Sequence, residues 1–217
     1  MYNFSMSGLN NVDKIVKTLK KKYPSPRTEL IHENEYQLAV AVMLSAQTTD
    51  KKVNQVTPQL FKKYPSWESL ASADLLDVQN LIKEVNFYKG KAERLIQAGR
   101  VVTLNFGGVL PRNMEDLMKI PGVARKSANV IMQELWEIAD GIVVDTHVKR
   151  VSNRLGLTKE QDPEKIEKDL MKIIPKRSWR NFSGAMVLHG RYICTAKSPK
   201  CEECPLNEIC PSAFKIN

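Results

Sequence analysis

Apolar residues recur at helical spacing along almost the whole chain. Val12, Ile15, Val16 and Leu19 follow the i, i+3, i+4, i+7 stripe of a surface helix, which Tyr23-Pro24 ends. Tyr36 to Leu44 is apolar on nearly every side and predicts a helix buried at a domain centre. Thr48, Thr49 or Asp50 can cap a following helix that carries Val53 and Val56. Pro58 interrupts that pattern, so Thr57-Pro58 is expected to open a separate short helix containing Leu60 and Phe61. Further helices are predicted over 66–71, 73–84, 89–105, 114–120, 125–138, 146–155, 163–173 and 178–192. Gly141-Ile142-Val143-Val144 is the one β-like run and it stands alone. The expected fold class is therefore all-α. The last two dozen residues are Cys, Pro, Lys and Ser without periodicity, a loop organised by something other than an apolar core.

Composition narrows the class. With 26% charged and 42% apolar residues over 217, this is a globular chain of one or two domains that needs no staple merely to fold. The longest apolar run, Leu38 to Leu44, is far too short to span a bilayer. Met1 to Asn11 has no apolar core of a signal peptide, so no membrane or export role is expected. Lys plus Arg number 33 against 24 acids, a net +9 that favours a polyanionic partner. Residues 1–27 alone hold five Lys and one Arg against Asp13, as a helix with a basic face would.

Three constellations carry chemistry. In Ile120-Pro121-Gly122-Val123-Ala124-Arg125-Lys126 a helical pattern ends, a Pro-Gly turn follows and a new helix begins. Such a turn either makes an ordinary corner between helices or presents backbone N–H groups to a phosphate at a helix N-terminus. The second pairs Lys126 with Asp145. The helix after Lys126 carries the chain roughly 18 Å away, and seven extended residues can return roughly 23 Å, so Asp145 can lie beside Lys126. The helix dipole disfavours an ammonium in the first turn and so favours the neutral, nucleophilic amine. A carboxylate nearby works against that, and partial burial of the lysine would have to help. Asp145 can accept a proton or stabilise a cationic sugar; equally, it can simply cap the helix that begins at Thr146. The third is Cys194-x6-Cys201-x2-Cys204-x5-Cys210, which gathers every cysteine of the chain into seventeen residues. That spacing suits one ion or one [4Fe–4S] cube, and structural zinc more often uses paired knuckles.

The residues from Ile120 to Val130 resemble the helix–hairpin–helix of the endonuclease III family of DNA glycosylases. Val144-Asp145-Thr146-His147-Val148-Lys149-Arg150-Val151 resembles the segment that carries the family's catalytic aspartate, and His189 to Cys194 its iron–sulfur region. Leu44-Ser45-Ala46-Gln47-Thr48-Thr49-Asp50 matches an upstream segment. The likeness runs in unbroken order from about residue 12 to 212.

The resemblance implies two helical lobes with a DNA-binding cleft between them: a six-helix lobe over 28–139 bearing the hairpin, and a discontinuous lobe of 1–27 plus 140–217 holding a [4Fe–4S] cluster at 194–210. It implies a base-excision repair enzyme that removes oxidised or ring-saturated pyrimidines from duplex DNA and cleaves the abasic strand. Lys126 falls on the Schiff-base lysine and Asp145 on the essential aspartate. Gln47 falls on the residue that fills the space of the flipped nucleotide, and Phe87 on a position usually held by an intercalating leucine. Gly122, Val123 and Ala124 would contact DNA through the hairpin, His147 would shape the pocket, and Cys194, Cys201, Cys204 and Cys210 would hold the cluster. Ordering of that loop would let Arg191, Lys197 and Lys200 face phosphates. Ala124 replaces a common second glycine and would be strained by about 1 kcal/mol if its φ were positive. The expected partner is damaged double-stranded DNA, the expected state a monomer in the cytoplasm, with the nucleoid if the source is prokaryotic. A mismatch-type monofunctional glycosylase and a non-catalytic iron–sulfur DNA-binding module are the alternatives; the first usually lacks a lysine at the position of Lys126.

Overall fold

In the computed structural model, which describes the backbone of residues 6–215 and the side chains of 11–215, helices are the only regular elements among the described residues. Residues 1–5 of the basic N-terminal segment lie outside them. The helices are α1 (Met6–Lys22), α2 (Glu35–Ser45), α3 (Asp50–Lys63), α4 (Trp67–Ala71), α5 (Leu75–Leu81), α6 (Tyr88–Phe106), α7 (Met114–Leu117), α8 (Arg125–Trp136), α9 (Thr146–Arg154), α10 (Pro163–Ile173) and α11 (Trp179–Tyr192). None of the described helices is long and apolar enough to cross a membrane. The chain divides into two compact units, Glu29–Ile138 and Met1–Thr28 with Ala139–Asn217.

The unit Glu29–Ile138 is built around α2, whose residues Tyr36 and Leu38 to Leu44 are all buried. Asn34 caps its N-terminus, accepting from the Gln37 amide at 2.9 Å. The helices α3, α6 and α8 pack around it. Gly99 of α6 lets that helix press against α4, because a Cβ there would lie 2.7 Å from the Ala71 nitrogen.

Pro58 does not open a new helix; it sits inside α3, which runs unbroken from Thr49, its N-cap, to Lys63. An interior proline removes one helical hydrogen bond and costs about 3 kcal/mol. Val53 and Val56 before it and Leu60 after it are buried on one face, and each such side chain offsets about 1.5–3 kcal/mol. Asn54, on the turn below Pro58, is also anchored, donating to the Glu29 carbonyl at 2.8 Å and accepting from the Ile31 amide at 2.9 Å. Burial on both sides carries the helix through the proline.

In the other unit Val12, Ile15 and Leu19 bury the predicted stripe of α1, and α1 packs on α11. The run Ile142 to Val144 is buried but forms no strand. Instead the Val143 amide donates to the Ser183 hydroxyl of α11 at 3.1 Å. Leu206, from the cysteine loop, is fully buried in the same core.

Candidate functional site

Between α7 and α8 the chain makes a tight turn in which the Val123 amide donates to the Ile120 carbonyl at 3.0 Å. Pro121 and Gly122 fill its two central positions, and Gly122 has φ +88°, as a type II turn requires. A Cβ on Gly122 would also crowd Met43 of α2 and Arg94 of α6 at 3.0 and 3.4 Å. Ala124 then adopts φ −90° and ψ 169°, an extended conformation open to any residue, so alanine in place of glycine is unstrained. It is the N-cap of α8, and no side chain caps this end. The first turn carries no acid but does carry Arg125 and Lys126, the reverse of what the dipole favours. Helix termini of this kind, whose N-cap offers no side-chain acceptor and whose first turn carries cations, suit an anion. Lys126 is exposed. The chain itself does not supply the partial burial its reactivity was expected to need.

Asp145 lies in the other unit, as the N-cap of α9. Its Oδ1 accepts from the His147 and Val148 amides, both at 2.8 Å. Among the described residues every recorded hydrogen bond to this carboxylate goes to Oδ1, so capping leaves Oδ2 for other work. Half-buried His147 has Nδ1 3.2 Å from Arg150 Nη2 and packs against Gly190.

Gln47 and Phe87 are both exposed, Phe87 by 69%, and both adopt left-handed backbone, φ 55° and φ 58°. Their loops are tied together: Asn86 Nδ2 donates to the Gln47 carbonyl at 2.6 Å. Beneath them lies Lys91 of α6, only 6% exposed. Desolvation, reinforced by the Arg94 charge, pushes its pKa down to about 8.

Two arginines of α9 hold the start of the cysteine loop. Arg150 donates to the Gly190 and Cys194 carbonyls at 2.7 and 3.1 Å, and Arg154 to the Thr195 and Ala196 carbonyls at 2.6 and 2.9 Å. Arg154 Nη1 also lies 3.3 Å from Cys194 Sγ. On the opposite side His189 Nε2 stands 3.6 Å from Cys204 Sγ. Burial, with the charge of Lys22, pushes His189 down to about 4, so its ring is neutral at pH 7. Its Nδ1 is buried without a partner among the described residues. The Nε2–H tautomer therefore aims its one donor at sulfur. All four thiols line one cavity with Ile193, Asn207 and Val151. Burial raises the pKa of Cys204 and Cys210, and each is raised further by the neighbouring sulfurs. Such buried thiols become thiolates when they bind iron.

A family model described as HhH-GPD superfamily base excision DNA repair protein matches residues 40–176. The iron–sulfur binding domain of endonuclease III matches residues 194–210. Endonuclease III of Synechocystis is 48% identical over 92% of this chain and 91% of its own length. The chain belongs to the endonuclease III family. Endonuclease III of Bacillus subtilis is 39% identical over 97% of this chain and 96% of its own. Among solved structures, a trapped covalent endonuclease III–DNA intermediate superposes with a TM-score of 0.89 at 38% identity, covering 95% of this chain and 97% of that one. A thermostable thymine-DNA glycosylase shares the fold at a TM-score of 0.82 and 23% identity.

As a member of that family, the chain carries a [4Fe–4S] cluster. The residues present fit it: four sulfurs around one cavity, with a guanidinium and an imidazole N–H directed at two of them. Lys91, Arg150, Arg154 and His189 make contacts to these loops that periodicity and spacing had not singled out. We expect Cys204→Ala to lower bound iron and to raise amide hydrogen exchange across 194–210 by at least about tenfold, because metal and loop order are coupled. Full iron content with unchanged protection would refute that coupling.

Proposed function

We propose that this enzyme excises oxidised or ring-saturated pyrimidines from damaged duplex DNA, then cleaves the abasic strand by β-elimination. The observation that carries the reading is the hairpin: an uncapped, acid-free helix N-terminus with Lys126 in its first turn. Phosphate held by those amides would bring a deoxyribose to the lysine, and the basic surface would load the enzyme onto DNA in a salt-dependent way. A damaged base stacks and pairs poorly, so it costs less to extrude, while Gln47 and Phe87 enter the gap it leaves.

The Lys126 Nζ lone pair forms a bond to the sugar C1′, and the C1′–N bond breaks, its electron pair leaving with the base, which takes up a proton. Ring opening leaves an iminium between Nζ and C1′. Loss of a proton from C2′ then expels the 3′ phosphate, and water releases the lysine. Oδ2 of Asp145 stabilises positive charge on the sugar and takes or returns protons, while Oδ1 holds the carboxylate in place. His147, fixed by Arg150, shapes the pocket wall. Cys194, Cys201, Cys204 and Cys210 hold the cluster, which orders the loop that presents Lys197 and Lys200. The two units correspond on this reading to a hairpin lobe and a cluster lobe, acting as a monomer in the cytoplasm or nucleoid.

A single-turnover assay on duplex DNA containing one thymine glycol tests the reading. Both free damaged base and a strand ending in a 3′ unsaturated aldehyde are expected. Free base with an intact strand would favour a monofunctional glycosylase. Binding without either product would leave a non-catalytic DNA-binding module.

A further inference from the structure

Lys91 is an expensive residue to bury. Its ammonium is surrounded by neutral oxygens, donating to the Leu44 carbonyl at 2.7 Å, the Ala46 carbonyl at 2.6 Å and the Thr48 hydroxyl at 3.0 Å. A charge removed from water without an opposite charge is costly, and an apolar side chain of like volume would fill the site at less expense. What the lysine adds is position. The helix α2 ends at Ser45 with no basic residue in its last turn. Lys91 supplies the missing donor from another helix, closing the open carbonyl end of α2. Its bonds to Ala46 and Thr48 grip the chain on both sides of Gln47. Its own backbone amide donates to the Phe87 carbonyl at 3.1 Å.

The side chain thus ties the turn of Gln47 to the helix that Phe87 opens, both residues being exposed and left-handed. Neither Gln47 nor Phe87 is glycine, and left-handed backbone in such residues persists only where the surroundings impose it. Asn86 adds a second tie through the Gln47 carbonyl. We propose that Lys91 is a positioning residue for base extrusion, clamping the Ala46–Thr48 turn to the start of α6 so that Gln47 and Phe87 enter the duplex at a fixed spacing. The proposal rests on the reading that these two side chains fill the gap.

The test compares wild type with Lys91→Met, which keeps the stem and removes the donors. Excision of thymine glycol from duplex DNA is expected to slow at least about tenfold, a loss within the range of coupled neighbours. Cleavage at an abasic site in single-stranded DNA, where no opposite strand must be displaced, is expected to slow by less than about threefold. The fluorescence change of 2-aminopurine placed opposite a tetrahydrofuran abasic analogue should be lost. In a Gln47→Ala background Lys91→Met should cost little more, since it acts through that loop. Should Lys91→Met fail to fold, exposed Asn86→Ala cuts the second tie and is expected to slow duplex excision and dampen the same fluorescence change. Equal losses on duplex and single strand, additive costs with Gln47→Ala, or an Asn86→Ala protein identical to wild type would each overturn the clamp. If Gln47→Ala and Phe87→Ala were themselves without effect, the gap-filling reading would fall with it. A wild type that excises nothing would remove both.

Discussion

Lys126→Gln is expected to abolish covalent trapping on DNA. Wild type mixed with a duplex carrying one abasic site and reduced with borohydride should give a protein–DNA band that survives denaturation; the variant should give none. Strand cleavage should fall at least about 10³-fold, as expected when a nucleophile is removed from a covalent mechanism. Glutamine is one atom shorter than lysine but close to it in helix propensity, and Lys126 is exposed at the head of α8, so no packing is lost. Removing a cation from the positive end of the dipole favours the helix, and the variant should melt no lower than wild type. DNA affinity, measured by fluorescence anisotropy, should change only by the loss of one positive charge. The combination matters: a stable, DNA-binding, inert protein places the defect in chemistry. A Lys126→Gln protein that still traps DNA would move the nucleophile elsewhere in the chain.

The elements most visible in the sequence were those defined by local spacing. The stripe of α1, the all-round apolar α2, the Pro-Gly turn and the cysteine interval each declare themselves within about twenty residues. Local rules misjudged Pro58, because burial of Val53, Val56 and Leu60 on one face of α3 outweighs its helix penalty. They gave no sign that Phe87 would be left-handed, a conformation usually marked by Gly or Asn. Nothing in local spacing marks Lys91. Its role depends on carbonyls more than forty residues earlier in the chain, and only the packing of α6 on α2 brings them within reach. Arg150 and Arg154 were hidden likewise, since their partners are backbone carbonyls about forty residues later. Asp145 was legible as either cap or catalyst, and the cap does not exclude the second role, since it engages one carboxylate oxygen, Oδ1.

That division of labour can be separated by two substitutions at one position. Asparagine is as good an N-cap as aspartate, and its carbonyl can take the place of Oδ1 facing the His147 and Val148 amides. Asp145→Asn should therefore unfold close to the wild-type midpoint. It cannot hold negative charge beside a cationic sugar or accept a proton, and single-turnover excision of thymine glycol should fall about 10²–10⁴-fold. Asp145→Ala loses the cap as well and should be destabilised by about 0.5–2 kcal/mol. Its excision rate should be no better than that of the asparagine variant. Denaturant melts read the first effect and rapid-quench kinetics the second. If Asp145→Asn excised the base at the wild-type rate, the carboxylate would be a helix cap and nothing more, and charge stabilisation at the sugar would have to come from another group. If Asp145→Asn were instead as unstable as the alanine variant, the negative charge itself would be holding the start of α9, and its catalytic loss would have to be judged at matched stability.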